Sequence, residues 1–241
     1  IEQDMNKINA CRIELGNYLK KIVINTQNVI DLMNDKWLTY NFLKKNKIQC
    51  IESTLEHNYD SLREFFGGDF LVKPRNSYSS RGVKKIENRD TFEYYKFLLG
   101  DQLMAQRIVG DNEHEYTAAA FGYGDGMCSS PIILKRKLSF EGSTLTAEVV
   151  DCKPIEESIA ILSDILKPIG PTNFQYRMEG DVAYLLEINP RISSSTSLRS
   201  AFGFNESEMA IEYYIDKKTR LNPEIKKGKA VRYISDYIQL L

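Results

Sequence analysis

The chain has 241 residues, 42% of them hydrophobic and 27% charged, and a net charge of −1 at pH 7. That is length enough for one sizeable core or two subdomains, while the near-neutral balance excludes a broad electrostatic footprint for nucleic acid, so any anion site has to be local. No apolar run approaches the ~18 residues of a membrane span, and the scattered Cys11, Cys50, Cys128 and Cys152, without CxxC or metal spacing, fit a reducing cytoplasm.

In chain order, residues 8–19 read as an amphipathic helix with Ile8, Cys11, Leu15 and Leu19 on one face, and 21–24 as a short strand. Asp35 caps a helix carrying Trp37, Tyr40, Phe42 and Leu43 that stops before Asn46 and Lys47. Residues 62–66 form a short helix closed by Gly67 and Gly68, 70–73 and 83–86 an antiparallel pair, and 91–99 a helix ended by Gly100. From Leu103 the pattern changes to strands, at 103–109, 115–121, 130–138, 145–151, 172–177 and 182–189. The glycines at 122, 124 and 126 do not fit GxGxxG and read as a hairpin turn. Pro154 opens a helix with Ile155, Ile159, Leu162, Ile165, Leu166 and Ile169 mostly on one face. The turn Glu179-Gly180-Asp181 makes the last two strands antiparallel and sets Gln175 beside Glu187. Asn205 caps a final helix with Met209, Ile211 and Tyr214. The basic cluster Lys135-Arg136-Lys137 ends an apolar strand and can point cations into a cleft, whereas Lys217-Lys218 and Lys226-Lys227 read as solvated surface.

Two motifs carry chemistry. Glu187-Ile188-Asn189-Pro190-Arg191 ends a strand with a carboxylate, an amide and a guanidinium on alternate positions, which share one face of a strand. Two hard oxygen donors beside a fixed cation suit Mg²⁺ bound to a polyphosphate. The second motif lies more than a hundred residues upstream. A strand delivers Lys73, then a small-residue loop runs through Ser79, Ser80, Arg81 and Gly82, where backbone N–H groups can approach phosphate oxygens. It is not a P-loop, since GxxxxGK[ST] occurs nowhere. Read separately, each is also compatible with an exposed strand end or a serine-rich turn.

Together and in this order the motifs resemble the ATP-grasp superfamily, and most of all the ATP-binding domains of the carbamoyl-phosphate synthase large subunit. The resemblance runs from about Asp35 to Tyr214. It implies an α+β ATP-grasp fold whose two subdomains, 34–102 and 103–241, clamp ATP, preceded at 1–33 by the tail of a Rossmann-like α/β domain whose first part is absent. Lys36, at the helix start Asp35-Lys36, and Lys73 become phosphate contacts. Gln106, Arg107 and Ile108 become the hinge whose backbone holds adenine, and Glu113 the ribose contact. Glu187 bridges two Mg²⁺ (or Mn²⁺) ions, with Gln175 on one and Asn189 on the other. Arg191 stabilises the transferring phosphoryl group, and Arg199 orients a substrate carboxylate.

The implied activity is that of an ADP-forming carboxylate-amine ligase: a carboxylate is activated as an acyl phosphate and attacked by an amine. The alternatives are phosphorylation of bicarbonate or carbamate, as in the synthases, and an ATP-binding module without turnover. Gln106 stands where the synthases usually place glutamate, and Phe140 where they place histidine; both argue against carbamoyl phosphate synthesis itself. The partners expected are small-molecule acids and amines, with a homodimer allowed and neither nucleic acid nor membrane called for.

Overall fold

The computed structural model describes residues 2–77, 82–140, 142–233 and 239. Its elements run α1 (Glu2–Ala10), α2 (Arg12–Leu15), a 3₁₀ turn (Gly16–Lys21), α3 (Gln27–Asn34), α4 (Lys36–Lys45), β1 (Ser53–Thr54), α5 (Tyr59–Phe66), β2 (Phe70–Pro74), β3 (Lys84–Ile86) and α6 (Arg89–Tyr95). Then come β4 (Leu103–Arg107), β5 (Glu115–Tyr123), β6 (Ile132–Leu138), β7 (Thr144–Val149), α7 (Lys153–Leu166), β8 (Ile169–Glu179), β9 (Val182–Asn189), α8 (Thr196–Ala201), α9 (Glu206–Tyr214) and β10 (Lys229–Val231). The strands make two antiparallel sheets, ordered β1-β4-β2-β3 and β10-β7-β6-β5-β8-β9. A bridge between Cys50 and Leu185 joins the segment before β1 to β9 of the large sheet.

Local chemistry accounts for the element ends. The Asp35 carboxylate accepts from the backbone N–H groups of Trp37 (2.8 Å) and Leu38 (3.3 Å), satisfying donors that open α4. Arg75 bonds that same carboxylate at 3.1 and 3.2 Å, and the two hydrogen-bond types together hold its pKa low even though partial burial opposes them. Gly67 closes α5 at φ 74°, and Asn205 caps α9 through the N–H groups of Ser207 and Glu208.

Burial follows the strand alternation. On β5, Ala118 and Ala120 face one way, into a core with Phe174, Tyr176 and the α7 residues Ile155, Ile159 and Leu162. Ala119 and Phe121 face the other way, towards Phe204 and Met209. The small sheet has its own core around Phe70, Val72, Ile86 and Phe92 beneath α5 and α6. The second face of the large sheet is therefore apolar at one end. Along the same face it turns polar: Glu115 and Thr117 on β5, Arg136 on β6, Asn173 on β8 and Asn189 on β9 are all buried.

The amino-terminal reading needs correction. Residues 8–19 do not form one helix; the chain breaks at Cys11, which is exposed, and the buried positions of α1 are Met5 and Asn9. No strand forms at 21–24, where the chain is a 3₁₀ turn followed by coil. Instead α1 packs on α3, with the Asn9 amide donating to Asp31 at 2.9 Å. The described part of the segment is a helical cover on the domain. The sequence pattern also passed over α3, β1 and β10, which are short or lack strong alternation.

Among the described residues, Arg199 is the most deeply buried cation. It and Glu206 are both 0% exposed and share hydrogen bonds of 2.9–3.1 Å, and burial lowers the arginine's pKa against the pull of the carboxylate. Breaking such a pair from one side leaves an uncompensated charge, at a cost of about 3–5 kcal/mol. We expect Glu206→Ala to lower the thermal midpoint by roughly 6–20 °C for a domain of this size. The double variant Arg199→Met/Glu206→Leu should recover most of that loss. Calorimetric melts of the three proteins check it; equal stability of Glu206→Ala and wild type would contradict the pairing.

Candidate active site

The site forms where the polar half of the large sheet meets the small sheet. Antiparallel pairing of β8 and β9 sets Gln175 opposite Glu187 and Asn173 opposite Asn189. A bulge at Gln175/Tyr176 leaves Leu186 as the extra residue of β9, which re-aims the side chains at this point. Glu187 consequently lines two spaces at once. One is a cleft that also holds Lys36, Lys73, Gln106, Arg107, Gln175 and Arg177. The other is a cavity of about 370 Å³ walled by Arg136, Gln175, Asn189, Arg191 and Ser193–Ser195, with Glu2 of α1 at its rim.

On the cleft side, Lys36 and Lys73 line the same space. Lys36 donates to the backbone carbonyl of Ser77 at 2.7 Å, which ties the α4 start to the small-residue loop. Lys73 is 7% exposed and donates to the Gln106 amide oxygen at 2.7 Å, while the Gln106 amide donates to Ser53 at 2.9 Å. A neutral partner does little to offset burial. Desolvation, helped by the charge of Lys36 and opposed by Glu187, brings the Lys73 pKa down to about 7. Gly82 sits at φ 78°, and a Cβ there would lie 2.8 Å from the Pro74 ring, so only glycine fits this loop end. Ser79, Ser80 and Arg81 fall outside the described residues.

At the hinge, β4 ends at Arg107, whose N–H is bonded to Glu52; Ile108 lies beyond the strand. The Arg107 guanidinium crosses to the large sheet, 3.1 Å from Glu179 and stacked 5.1 Å over Tyr184. Glu113 is exposed and paired with Lys137 at 2.6 Å, away from the cleft lining. The acid that faces the cleft is Glu115, two residues on.

Between the two spaces, Glu115 is 4% exposed and accepts from two arginines, Arg136 of the cavity wall at 2.9 Å and Arg177 of the cleft at 3.2 Å. Arg136 also donates to the Gln175 amide oxygen at 3.0 Å. Burial lowers the Arg136 pKa and the Glu115 carboxylate works against that. Of the cluster Lys135-Arg136-Lys137, only Arg136 is buried. Arg191 donates to Asn189 at 2.9 Å and to the Glu2 carboxylate. Arg199 does not reach this cavity as a substrate contact. Its fully buried guanidinium donates to Asn173 and Ser193 at 3.0 Å each, so it braces two cavity-lining residues from behind.

Gln175, Glu187 and Asn189 supply oxygen donors of the hard type that suits a Mg²⁺-sized cation, with one negative charge among them. The fit is conditional: each amide oxygen already accepts from a guanidinium, and Glu187 alone takes no hydrogen bond or ion pair from a described residue. No cluster of three or more His, Cys, Asp or Glu side chains suited to a metal occurs among the described residues. Glu115, Arg177 and Ser53 were not foreseen. Arg177 lies two positions from Gln175 on β8, so the alternation that selected Glu187 and Asn189 also selects it.

Comparisons with known proteins bear on the fold. A family model described as ATP-grasp in the biosynthetic pathway with Ter operon matches residues 122–237. The model superposes on biotin carboxylase from Campylobacter jejuni in its β,γ-ATP complex with a TM-score of 0.75, over 95% of this chain and 55% of that one at 15% identity. The biotin carboxylase domain of Hydrogenobacter thermophilus 2-oxoglutarate carboxylase, a dimer holding MgADP and bicarbonate, gives 0.74, over 95% and 55% at 13% identity. The fold is ATP-grasp. The chain is also 24% identical to the carbamoyl phosphate synthase large chain of Pseudothermotoga lettingae, over 88% of its own length and 21% of that protein. It is 26% identical, over 42% of its length and 34% of the other's, to the uncharacterized protein MG011 homolog of Mycoplasma pneumoniae. The chain spans a fifth to about a third of these curated relatives and about half of the solved structures. The resemblance read from the motifs stands at the level of the fold.

Lys73 gives a pH test. A group whose folded pKa is depressed to about 7 is partly neutral at and above that pH, and a polyanion bound against it favours the charged form. Nucleotide binding should therefore take up protons between about pH 7 and 10, and affinity should fall as pH rises through 7. Titration calorimetry of ATP in buffers of different ionisation enthalpy reads the uptake directly. Gln106→Glu, which gives Lys73 a charged partner, should abolish it; equal heats in all buffers for the wild type would contradict the assignment.

Proposed function

We propose that this chain binds ATP with Mg²⁺ and acts as an ADP-forming ligase that activates a carboxylate as an acyl phosphate for attack by an amine. The observation that carries the reading is that Glu187 and Gln175 line both spaces, so one wall separates the lysine-bearing cleft from the arginine-bearing cavity. A nucleotide whose terminal phosphate reaches that wall from the cleft meets an acid held in the cavity. The N5-carboxyaminoimidazole synthetase, biotin carboxylase and L-amino acid ligase structures that share the fold support a carboxylate as the acceptor class.

In this reading adenine lies against the hinge backbone at Gln106, Arg107 and Ile108, and Lys36 and Lys73 hold the phosphates. We assign the ribose-side acid to Glu115 in place of Glu113. Gln175, Glu187 and Asn189 would hold Mg²⁺, or Mn²⁺ in its place. The metal, when bound, neutralises charge on the transferring phosphate. The acid's carboxylate oxygen attacks the γ-phosphorus, forming the acyl phosphate and releasing ADP. The amine then adds to the acyl carbon, loses a proton and expels phosphate. Arg191 and the buried Arg136 face the negative charge that develops, and Arg199 acts only by positioning Asn173 and Ser193. A homodimer is part of the proposal by likeness to the Hydrogenobacter domain.

Glu187→Gln should abolish metal-dependent ADP release while leaving the thermal midpoint within a few degrees of wild type. Arg191→Ala should cut turnover by ~10²–10³-fold with a far smaller effect on ATP affinity. Both are read by carboxylate-dependent ADP release alongside ATP titration. ATP binding that persists with no turnover for any acid would favour the nucleotide-binding module instead.

A further inference from the structure

We infer that the apolar groove continuing from the polar cavity seats the hydrocarbon body of the acid substrate, whose carboxylate is read by Arg191. The inference rests on the ligase reading and narrows its substrate to carboxylic acids with an apolar body of several carbons.

One strand face joins the two spaces. Residues 169, 171, 173 and 175 of β8 point the same way. Asn173 and Gln175 line the polar cavity, whereas Ile169 and Pro171 line an adjoining groove of about 470 Å³. The groove's other walls include Met5 and Ile8 of α1, Ile22 and Ile24 from the segment after it, and Ile192. This volume is in the range of small-molecule sites, ~300–1,000 Å³. Its charged lining residues are Asp4 and Arg191, and both also line the polar cavity. Charge therefore concentrates where the two spaces meet, and apart from Ser207 the remainder of the groove is lined by apolar residues.

Arg191 marks that junction as a carboxylate position. Its terminal nitrogen already binds one carboxylate, that of Glu2, and its Nε is buried with no hydrogen-bond partner. A partly exposed guanidinium with an unfilled Nε donor is matched by a ligand that presents two oxygens side by side. Glu2 stands in for one of those oxygens from the α1 end. An incoming acid displaces it, placing its carboxylate on Arg191 within reach of Glu187 and Gln175, while its tail runs along Pro171 and Ile169. The hydrophobic effect then discriminates by chain length.

Calorimetric binding of acetate, butanoate and hexanoate to the full chain saturated with Mg-ADP tests this without requiring turnover. Affinity should rise about fourfold per added CH₂. Ser207→Phe fills the groove from an exposed position on α9; it should weaken hexanoate at least tenfold and leave acetate unchanged, whereas Arg191→Ala should weaken both. A flat affinity across the series, equal losses for acetate and hexanoate in Ser207→Phe, or no heat from any acid would overturn the inference. ADP release is measured separately on the acids that bind. Binding graded by chain length without ADP release would contradict the ligase reading and uphold the groove.

Discussion

Glu115 is the carboxylate on which the buried polar half of the molecule depends. It lies 4% exposed at the start of β5, and each of its oxygens takes a different arginine, Arg136 from β6 and Arg177 from β8. A sheet face that is apolar beneath α9 can turn polar here only if the charges it buries are matched in place. Arg136 passes the constraint on to Gln175. Arg177 lines the cleft that holds Lys73, and Arg136 the cavity that holds Arg191. One carboxylate thus sets the geometry of both spaces and of the wall between them.

A second buried pair does similar work at the other edge. Arg199 and Glu206 neutralise each other at zero exposure, and the remaining guanidinium donors reach Asn173 on β8 and Ser193 in the loop after β9. That loop carries Arg191 and Ser193–Ser195, so the charge pair in the α8–α9 corner helps fix its position alongside the bonds of its own Ser193 and Ser195. The cleft lacks such compensation. Lys73 faces the amide of Gln106 where a carboxylate would neutralise it, which leaves its charge to be completed by a ligand.

Alternation made much of this readable. The strand residues Gln175, Glu187 and Asn189 were recognisable because a period of two puts chemistry on one face and core on the other, and the tight turn at Gly180 fixed which strands would pair. The capping carboxylate of Asp35 was legible from local helix-start chemistry and Lys73 from its strand and the loop after it, whereas Lys36 was picked out only through the family resemblance. What sequence did not reveal is long-range: the pairing of Arg199 with Glu206 across a turn between helices, the bonding of Arg136 and Arg177 to Glu115, and the reach of Glu2 to Arg191 from 189 residues away. An arginine beside a serine-rich loop looks the same in sequence whether it faces solvent, substrate or a buried glutamate. The amino-terminal helix misled for a related reason, since its apolar periodicity is weak and the buried face is set by packing on α3.

The most direct test of the whole account is a crystal structure of the protein with Mg²⁺ and a non-hydrolysable ATP analogue. The account predicts adenine against the backbone at 106–108, phosphates on Lys36 and Lys73, and the terminal phosphate with its metal between Glu187 and Arg191. A nucleotide bound elsewhere, or a terminal phosphate facing away from Glu187 with Arg191 still closed on Glu2, would contradict it.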